Sequence, residues 1–320
     1  MKNEINTFKS LEAETIENIK QSKAYNTSRA YKSDYKDFVS FCENINKKPI
    51  NANVRDVSIY LTSLSKKNLK FSTIKRRLVS IVMANRMAGH YIDTKHPIIN
   101  ENLKSIKRKI GSAQVGKKPL SISDLKKIIS TLTNNKKINK NKKSRDKALI
   151  LTGFSGGFRR SELINLNYQD IEFVEEGVKI LLRKSKTDQF SEGFTKALPY
   201  FTNPVFCPVV SLKEWLVTSS IKSNSIFRKI SKSGKILNSR LTDQSVALIL
   251  KYHMVQANLD PSNFSGHSLR SGFATATANS GADERSIMAM TGHKSSQMVR
   301  RYIKEANLFK NNALNKINIW

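Results

Sequence analysis

Five side chains that can act on a phosphodiester occur in order along the second half of the sequence. Two are arginines, two are histidines and the last is a tyrosine: Arg159, His267, Arg270, His293 and Tyr302. His267 and Arg270 are three residues apart, which places them side by side on one face of a predicted helix. Each is a weak signal alone, because charged helix ends and packed tyrosines are common. Together with a lysine in a predicted hairpin, and in this order, they are the groups needed to cut a phosphodiester without a metal.

The chemistry that this set favours is nucleophilic attack on phosphorus. The phosphate gains negative charge on its non-bridging oxygens in the transition state. The planar N–H donors of guanidinium groups fit those oxygens better than ammonium groups do. A phenol attacks only after losing its proton, and its ordinary pKa is about 10. His267 can accept that proton or hydrogen-bond a non-bridging oxygen, while a lysine in a predicted hairpin can protonate the leaving 5′ oxygen. No acidic cluster for Mg²⁺ accompanies these motifs, so we expect no metal and no cofactor.

Helices dominate the elements that must position these groups. In the first 110 residues, apolar residues spaced by three and four predict a helix from a cap at Thr27 to near Pro49. The same spacing predicts a helix over 54–64 and another that begins after Ser72 as its cap. These helices form a small bundle.

The remainder of the chain mixes helices and strands. Ser121 and Asp124 form a capping box that opens a helix, and residues 134–146 read as an exposed basic loop. Short strands and then helices follow: strands over 170–174, 178–183 and 195–199, a helix capped by Thr242, and helices over 267–279, 283–290 and 296–306. The fold class is therefore mainly α with a small antiparallel β-sheet (α+β).

The length of the chain and a segment with glycines and a proline predict two domains. Its 320 residues are about twice the usual domain length of ~150. KRKIGSAQVGKKPL has two glycines, a proline and no periodicity, which is typical of a linker. We expect an N-terminal helical DNA-binding domain, a basic linker, a catalytic domain and a tail: residues 1–108, 109–119, 120–306 and 307–320.

The charge balance indicates a polyanionic partner. Lys and Arg number 56 against 25 Asp and Glu, a net charge of +31. A base composition that favours Lys, Asn and Ile codons would raise the charge without any binding, so charge alone does not decide function. The basic residues that we expect to contact DNA are Lys75, Arg76, Arg77, Lys107, Arg108, Lys117 and Lys118.

Other classes are excluded by composition. Hydrophobic residues make up 39% of the chain, enough for packed cores, which excludes a wholly disordered basic tail. No run of about 18 apolar residues and no signal-peptide pattern occurs, so we expect a cytoplasmic protein without membrane contact. Cys42 and Cys207 stand far apart and near no other ligand, so we expect two buried thiols rather than a disulfide or a zinc site.

The motifs resemble those of the tyrosine site-specific recombinases, the lambda-integrase or phage integrase family. GGFRRSEL, RKSKTDQF, HSLR and TGH, with a tyrosine nine residues past the last histidine, match that family in order and at similar separations. NTSRAYKSDYKDFVSFC also resembles the opening helix of Cre-like and Xer-like members. The resemblance covers about residues 24 to 306.

This resemblance implies a core-binding helical bundle and a catalytic domain that clamp double-stranded DNA in a C shape. The arginines and histidines would hold the scissile phosphate while Tyr302 attacks it, leaving a 3′-phosphotyrosyl link and a free 5′-hydroxyl. Two rounds of exchange would pass through a Holliday junction without ATP. The family acts as a tetramer on two DNA sites and passes a C-terminal segment between protomers, which would cover Leu308, Leu314, Ile317 and Trp320.

The resemblance also assigns residues within the motifs. Lys186 is the better match for the hairpin lysine, although Lys184 lies on the same side of an alternating strand and stays open. The Gly-x-Arg frame favours Arg159 over its neighbour Arg160. Glu162 matches an acidic position that orients its neighbours in the family, and an ordinary helix acid is the alternative.

Two other functions fit parts of the pattern. A nucleoid-type protein would use the same basic surface to bind DNA without chemistry. A monomeric type IB topoisomerase would share the tyrosine chemistry and relax DNA without a defined site. We expect a recombinase that integrates, excises or resolves DNA at specific sites.

Overall fold

The computed structural model describes residues 2–21, 25–112, 116–183, 193–293, 295–307 and 313–317. The chain divides into two compact units, Met1–Val115 and Gly116–Trp320, and the division falls inside the predicted linker. Within the described ranges, no helix is both long enough and apolar enough to cross a membrane.

The first unit is a helical bundle. Its helices are α1 (Lys2–Gln21), α2 (Tyr25–Asn44), α3 (Val54–Lys66), α4 (Phe71–Met87) and α5 (Pro97–Ile110). Residues spaced by three and four on α2, α3 and α4 meet in one core, which includes Phe38, Tyr60, Leu61, Ile74 and Ile81. The periodicity therefore identified the helices and their buried faces correctly.

Two helix starts differ from the prediction. Helix α2 begins at Tyr25, before the expected cap Thr27, and it ends at Asn44, well before Pro49. Helix α4 begins at Phe71, with Lys70 as its N-cap, so Ser72 lies inside the helix. Phe71 is partly buried against the core, and this packing favours a first turn that begins two residues earlier than the capping preference of serine predicts.

The second unit contains eight of the described helices and two small antiparallel sheets. The helices are α6 (Ile122–Asn134), α7 (Lys140–Ser155), α8 (Arg160–Asn165), α9 (Pro208–Ser219), α10 (Asp243–Gln256), α11 (Ser268–Asn279), α12 (Glu284–Thr291) and α13 (Ser296–Asn307). One sheet has strands β1 (Ile171–Val174), β2 (Gly177–Leu182) and β3 (Phe194–Pro199), paired in that order. The α+β class and the three strands of this sheet are as predicted.

A second hairpin was not predicted. Strands β4 (Arg228–Ile230) and β5 (Ile236–Arg240) pair with a register irregularity. They are short, and only one face is partly covered, so the alternating pattern that indicates a strand is weak in this segment.

Helix α7 is the central helix of the second unit. Every residue from Arg145 to Ser155 except Lys147 is buried, and α7 packs along α9 with its anchor Trp215. The sequence prediction of a loop over 134–146 is wrong from residue 140 onward. The side chain of Asn139 accepts hydrogen bonds from the backbone N–H groups of Asn141 and Lys142, so it caps a helix in spite of the lysine run.

A buried cluster of charged and polar side chains links two helices of this core. Asp146 on α7 accepts hydrogen bonds from Arg145 Nε at 2.8 Å and lies 2.8 Å from His253 Nε2 on α10. The side chains of Asp146 and His253 are almost completely buried. This cluster joins α7 to α10, which stabilises the core because each buried charge has a partner. Cys42 and Cys207 are buried free thiols, as expected.

Candidate active site

The end of α7 delivers the first arginine to the site. Gly157 has a φ of 54°, and a Cβ at this position would lie 2.9 Å from the ring of Phe273, so the tight turn requires glycine. Phe158 is buried beyond the turn and fixes the chain direction. Arg159 then stands at the N-cap position of α8. The GGFRR motif is thus the turn that leads from the central helix into the site.

Glu162 holds Arg159 in place. One carboxylate oxygen accepts the Arg159 backbone N–H at 2.9 Å, and the other pairs with its Nη1. Glu162 is buried, so its charge is directed at the arginine rather than at solvent. Arg159 Nη2 also donates to the carbonyl of Gly292 at 3.3 Å. This geometry supports the orienting role that the sequence predicted for Glu162.

The neighbouring arginine has a different environment. The Arg160 side chain is 42% exposed, and its Nη2 lies 3.7 Å from a carboxylate oxygen of Asp243 on α10. A loose surface pair of this kind restrains the side chain weakly. Arg159 is therefore held more firmly than Arg160, although the charge of Arg160 also acts on His267.

Arg270 is a deeply buried cation of the site. It lies in the first turn of α11 and is 1% exposed. Its Nη1 donates to the carbonyls of Gly157, at 2.8 Å, and Thr291. Burial first, and then the nearby charge of Arg159, lower its pKa to about 10, while Glu162 and Tyr302 oppose this change. The guanidinium remains charged at neutral pH.

Arg270 also has a spare donor. Among the described residues, no hydrogen-bond acceptor is within reach of its buried Nη2. A buried donor without a partner is costly, and an anion bound in the site would remove that cost. The arginine is therefore prepared to bind an oxyanion.

His293 follows the left-handed end of α12. Gly292 has a φ of 64° and a ψ of 39°, and its N–H donates to the Met288 carbonyl, which closes the helix. The buried hydroxyl of Thr291 donates to the Ile287 carbonyl at 2.6 Å. The same oxygen lies 2.7 Å from His293 Nδ1.

This arrangement determines the tautomer of His293. If the Thr291 hydroxyl donates to the Ile287 carbonyl, His293 Nδ1 donates to the hydroxyl oxygen, and we therefore expect Nε2 to carry the lone pair. Burial, and then the charges of Arg270 and Arg159, lower the pKa of His293 to about 4. The imidazole is neutral at pH 7 and offers Nε2 as a proton acceptor.

His267 lies at the N-terminus of α11, one turn before Arg270. The residue is exposed at the rim of the site, yet partial burial of its imidazole lowers its pKa, and the charges of Arg270 and Arg159 add to this effect. A neutral imidazole can accept a proton. The site therefore contains two histidines in the form that a general base requires.

Tyr302 is brought to the site by α13. Val299 on this helix packs against Ala274, Ala278 and Ile287 of α11 and α12, and Tyr302 lies on the edge of this cluster. The phenol interacts electrostatically with Arg270. The structure thus brings together five of the predicted site residues, namely Arg159, His267, Arg270, His293 and Tyr302.

The sixth predicted site residue lies in a part of the chain without structural data. Lys184 and Lys186 fall outside the described residues, as do Leu308 and Trp320 of the predicted tail. A different lysine, which the sequence reasoning missed, is Lys196 on β3. It is 1% exposed and donates to the carbonyl of Gly156 at 2.6 Å. The available signal was strand alternation, because Lys196 shares the inward face with Leu198.

The basic residues predicted to contact DNA have unequal environments in the bundle. Lys75 is exposed, and Arg76 is 41% exposed while it pairs with Asp34 at 2.8 Å. Arg77 has its Nη1 2.6 Å from Asp37, and its side chain is only 16% exposed. The guanidinium of Arg77 is therefore committed to carboxylates that join α4 to α2. DNA contact stays a prediction for the first two, and the geometry gives Arg77 a role in bundle stability.

The four other candidates flank the division between the two units. Lys107 and Arg108 are exposed in the last turn of α5, within the helix rather than in an irregular linker. Lys117 and Lys118 are exposed too, and Lys117 Nζ donates to the Ser262 carbonyl at 2.8 Å. Their contact with DNA stays a prediction.

Metal ligands are not clustered in this part of the molecule. Across the described ranges, no group of three or more His, Cys, Asp or Glu side chains is arranged to hold a metal ion.

Comparison with known proteins places the chain in a family. Residues 118–308 match the model of the phage integrase family. The chain is 38% identical over 302 residues to an integrase/recombinase xerD homolog of Selenomonas ruminantium, covering 93% of this chain and 87% of that protein. It is 27% identical over 287 residues to the tyrosine recombinase XerC of Herpetosiphon aurantiacus, covering 88% and 85% of the two chains.

A solved structure supports the same fold. The Tn1549 transposon integrase, in complex with transposon right end DNA, superposes with a TM-score of 0.65 at 16% identity over 93% of this chain and 97% of that chain. The sequence matches cover the arginine, histidine and tyrosine motifs whose side chains converge in the second unit. The chain belongs to the phage integrase family and is a tyrosine site-specific recombinase.

Proposed function

We propose that this recombinase cuts DNA by attack of the Tyr302 hydroxyl on a backbone phosphorus. The new bond joins phosphorus to the tyrosine oxygen, the bond to the 5′ oxygen breaks, and a 3′-phosphotyrosyl link remains. The tyrosine proton passes to a neutral imidazole, and a lysine of the β2–β3 hairpin donates a proton to the departing 5′ oxygen. Atoms and charges balance without a metal, a cofactor or ATP.

The observation that carries this proposal is the convergence of two fixed guanidiniums beside the tyrosine. Arg159 is held by Glu162, Arg270 is held by two carbonyls, and the buried Nη2 of Arg270 has no acceptor among the described residues. Donors that are already oriented stabilise developing negative charge without reorganisation during the reaction. A phosphate bound between these arginines would lie within reach of α13.

The two histidines support the proton transfer. Both have lowered pKa values, so both are neutral at pH 7 and able to accept a proton. His293 offers Nε2 because its Nδ1 hydrogen is bound to Thr291. His267 lies at the exposed rim, where it can accept the tyrosine proton or hydrogen-bond a non-bridging oxygen.

Rejoining follows from the same chemistry in reverse. A 5′-hydroxyl from a partner strand attacks the phosphotyrosine, restores the phosphodiester and releases Tyr302. The energy of the broken bond is kept in the covalent link, so strand exchange needs no external energy source. Two rounds on two DNA sites pass through a Holliday junction. The Tn1549 integrase was solved with DNA, which supports double-stranded DNA as the partner here.

We further propose that four protomers act together and exchange their C-terminal segments. In the described part of the tail, Leu314 is 63% exposed and Ile317 is 54% exposed. An apolar groove of about 730 Å³ in the second unit includes Phe154, Phe201 and Phe273 in its lining. The tail of a second copy would bury its apolar side chains in this groove.

Trapping on a nicked duplex tests the nucleophile. When cleavage beside a nick releases a short fragment, rejoining stops and the covalent protein–DNA adduct accumulates. Tyr302→Phe should form no adduct and still bind DNA, whereas the surface control Tyr168→Phe should match the unmodified protein. Normal adduct formation by Tyr302→Phe would remove the proposed nucleophile. The absence of adducts from the unmodified protein would favour a DNA-binding protein without chemistry.

DNA specificity separates the recombinase from a relaxing topoisomerase. A recombinase requires a defined pair of sites and produces branched junction intermediates on gels. Relaxation of any supercoiled plasmid by the monomer, with no junctions, would support topoisomerase action instead.

The hairpin lysine can be identified with a modified leaving group. A sulfur atom in place of the bridging 5′ oxygen leaves without protonation because a thiol is much more acidic than an alcohol. We expect Lys186→Ala to lose cleavage of ordinary DNA and to recover it on the sulfur substrate. The same pattern for Lys184→Ala, with Lys186→Ala unaffected, would reverse this assignment.

A further inference from the structure

Lys196 is a buried lysine of the second unit, and the proposed chemistry gives this lysine no role. It lies on β3, where Phe194, Lys196 and Leu198 share the inward face of the strand. The residue is 1% exposed, although lysine is almost never fully buried unless it is paired. Its ammonium lies 4.5 Å from the centre of the Phe158 ring.

The contacts of Lys196 join two segments that carry site residues. Its Nζ donates to the carbonyl of Gly156, in the turn that precedes Arg159, at 2.6 Å. It also donates to the carbonyl of Met290, in the last turn of α12 before His293. The lysine thus links β3, the second strand of the β2–β3 hairpin, to both segments.

Three cations bind three consecutive carbonyls at this end of α12. Lys196 binds the carbonyl of Met290, Arg270 that of Thr291, and Arg159 that of Gly292. The last carbonyls of a helix have no partners within the helix and carry the negative end of its dipole, so cations are favourable there. The end of α12 therefore sets the distance between the two arginines, and Lys196 binds the same helix end.

The electrostatic surroundings of Lys196 are unusual for a lysine. Burial is the main cause that lowers its pKa, to about 7, and Arg270 and Arg159 act in the same direction. The buried carboxylate of Glu162 opposes them. Near neutral pH this side chain can change its charge.

We propose that Lys196 is a positioning residue that fixes the spacing of Arg159 and Arg270 by holding the Gly156 turn against the end of α12. This inference rests on the proposed cleavage chemistry and extends it. Lys196 does not reach the DNA because its side chain is enclosed. It acts on the reaction through the backbone segments that hold the arginines and His293.

The proposal makes a specific kinetic prediction for Lys196→Met, which keeps the length of the side chain and removes its donors. The buried carbonyl of Gly156 and the partly buried carbonyl of Met290 then lose a partner, and cleavage at saturating protein should slow by about 10- to 100-fold. The dissociation constant for the same DNA should stay within about twofold, since no phosphate contact is lost. Lys179→Met, on the exposed face of β2, is the matched control and should behave as the unmodified protein.

Lys196→Arg supplies the conservative variant. Arginine keeps donors and charge over the accessible pH range, so it should restore part of the lost rate. In the unmodified protein the charge-assisted hydrogen bonds weaken once Lys196 loses its proton. The cleavage rate of the unmodified protein relative to Lys196→Arg should therefore fall between about pH 6 and pH 9, whereas a purely space-filling lysine would leave this ratio constant.

The closing experiment is single-turnover cleavage of the nicked duplex by these variants, with circular dichroism and thermal unfolding as folding controls. Adduct formation by the unmodified protein tests the proposed function separately from the ratio of variant to unmodified rates. Unchanged cleavage by Lys196→Met overturns the positioning role. Recovery of Lys196→Met on the sulfur substrate overturns it too, because that result identifies a proton donor. If Lys196→Met does not fold, a pH-independent ratio for Lys196→Arg overturns it.

Discussion

The hydroxyl of Thr291 should control which nitrogen of His293 carries the proton. Its oxygen lies 2.6 Å from the Ile287 carbonyl and 2.7 Å from His293 Nδ1. Thr291→Val keeps the shape of this buried side chain and removes the acceptor that, among the described residues, lies within hydrogen-bond distance of Nδ1. Thr291→Ser keeps the hydroxyl and serves as the control.

The size of the effect follows from one hydrogen bond. A neutral hydrogen bond contributes about 1 kcal/mol net, and a loss of that size allows the imidazole to rotate or to move its proton to Nε2. The ratio of molecules with Nε2 free as an acceptor to molecules with Nε2 protonated should then fall by about fivefold. Cleavage should slow by up to that factor, while DNA affinity stays unchanged because Thr291 is 1% exposed.

Two measurements check this prediction. Single-turnover cleavage at saturating protein gives the rate, and nitrogen-15 NMR of labelled histidine reports the tautomer directly. We expect Nδ1–H in the unmodified protein and in Thr291→Ser, and a mixture in Thr291→Val. If Nε2–H dominates in the unmodified protein, or if Thr291→Val cleaves at the full rate, the reasoning from the threonine relay is refuted.

Three further outcomes follow from contacts of the described residues. Arg159→Lys should slow single-turnover cleavage by about 100-fold or more because an oriented transition-state donor is lost. Arg160→Lys, as the control, should change the cleavage rate by no more than about threefold. Equal losses of rate in the two variants would contradict the assignment of Arg159. Asp146→Asn should lower the free energy of unfolding in urea by about 3–5 kcal/mol, because two buried partners lose their carboxylate; a change below about 1 kcal/mol would show that the cluster is not stabilising. Lys75→Gln should reduce the slope of log K against log salt by about 0.9, as expected for one phosphate contact, while Arg77→Gln should destabilise the bundle and leave that slope unchanged.

Local patterns predicted most of the elements correctly. Apolar residues at helical spacing located α3 and α10, and Ser121 caps α6 through a hydrogen bond from the Asp124 N–H at 3.0 Å. These features succeed because a helix or a cap depends on residues within one turn of each other. The failures have the same origin. The lysine-rich start of α7 looks like a loop locally, and only the cap at Asn139 and the burial of the following residues make it helical.

The sequence by itself determined the family and predicted the chemistry: the residue types, their order and the glycines of GGFRR and TGH indicate which arginines, histidines and tyrosine to expect at the site. Tertiary structure alone decided how they are held. Arg270 donates a hydrogen bond to the carbonyl of Gly157, which is 113 residues away in the sequence. Arg159 donates to the carbonyl of Gly292, 133 residues away, and Lys196 donates to that of Met290, 94 residues away. No local pattern encodes such contacts, since they arise only when β3, the end of α7 and the end of α12 pack together. The electrostatics depend on the same packing. Burial and neighbouring charges, not residue type, lower the pKa of His293 to about 4 and the pKa of Lys196 to about 7.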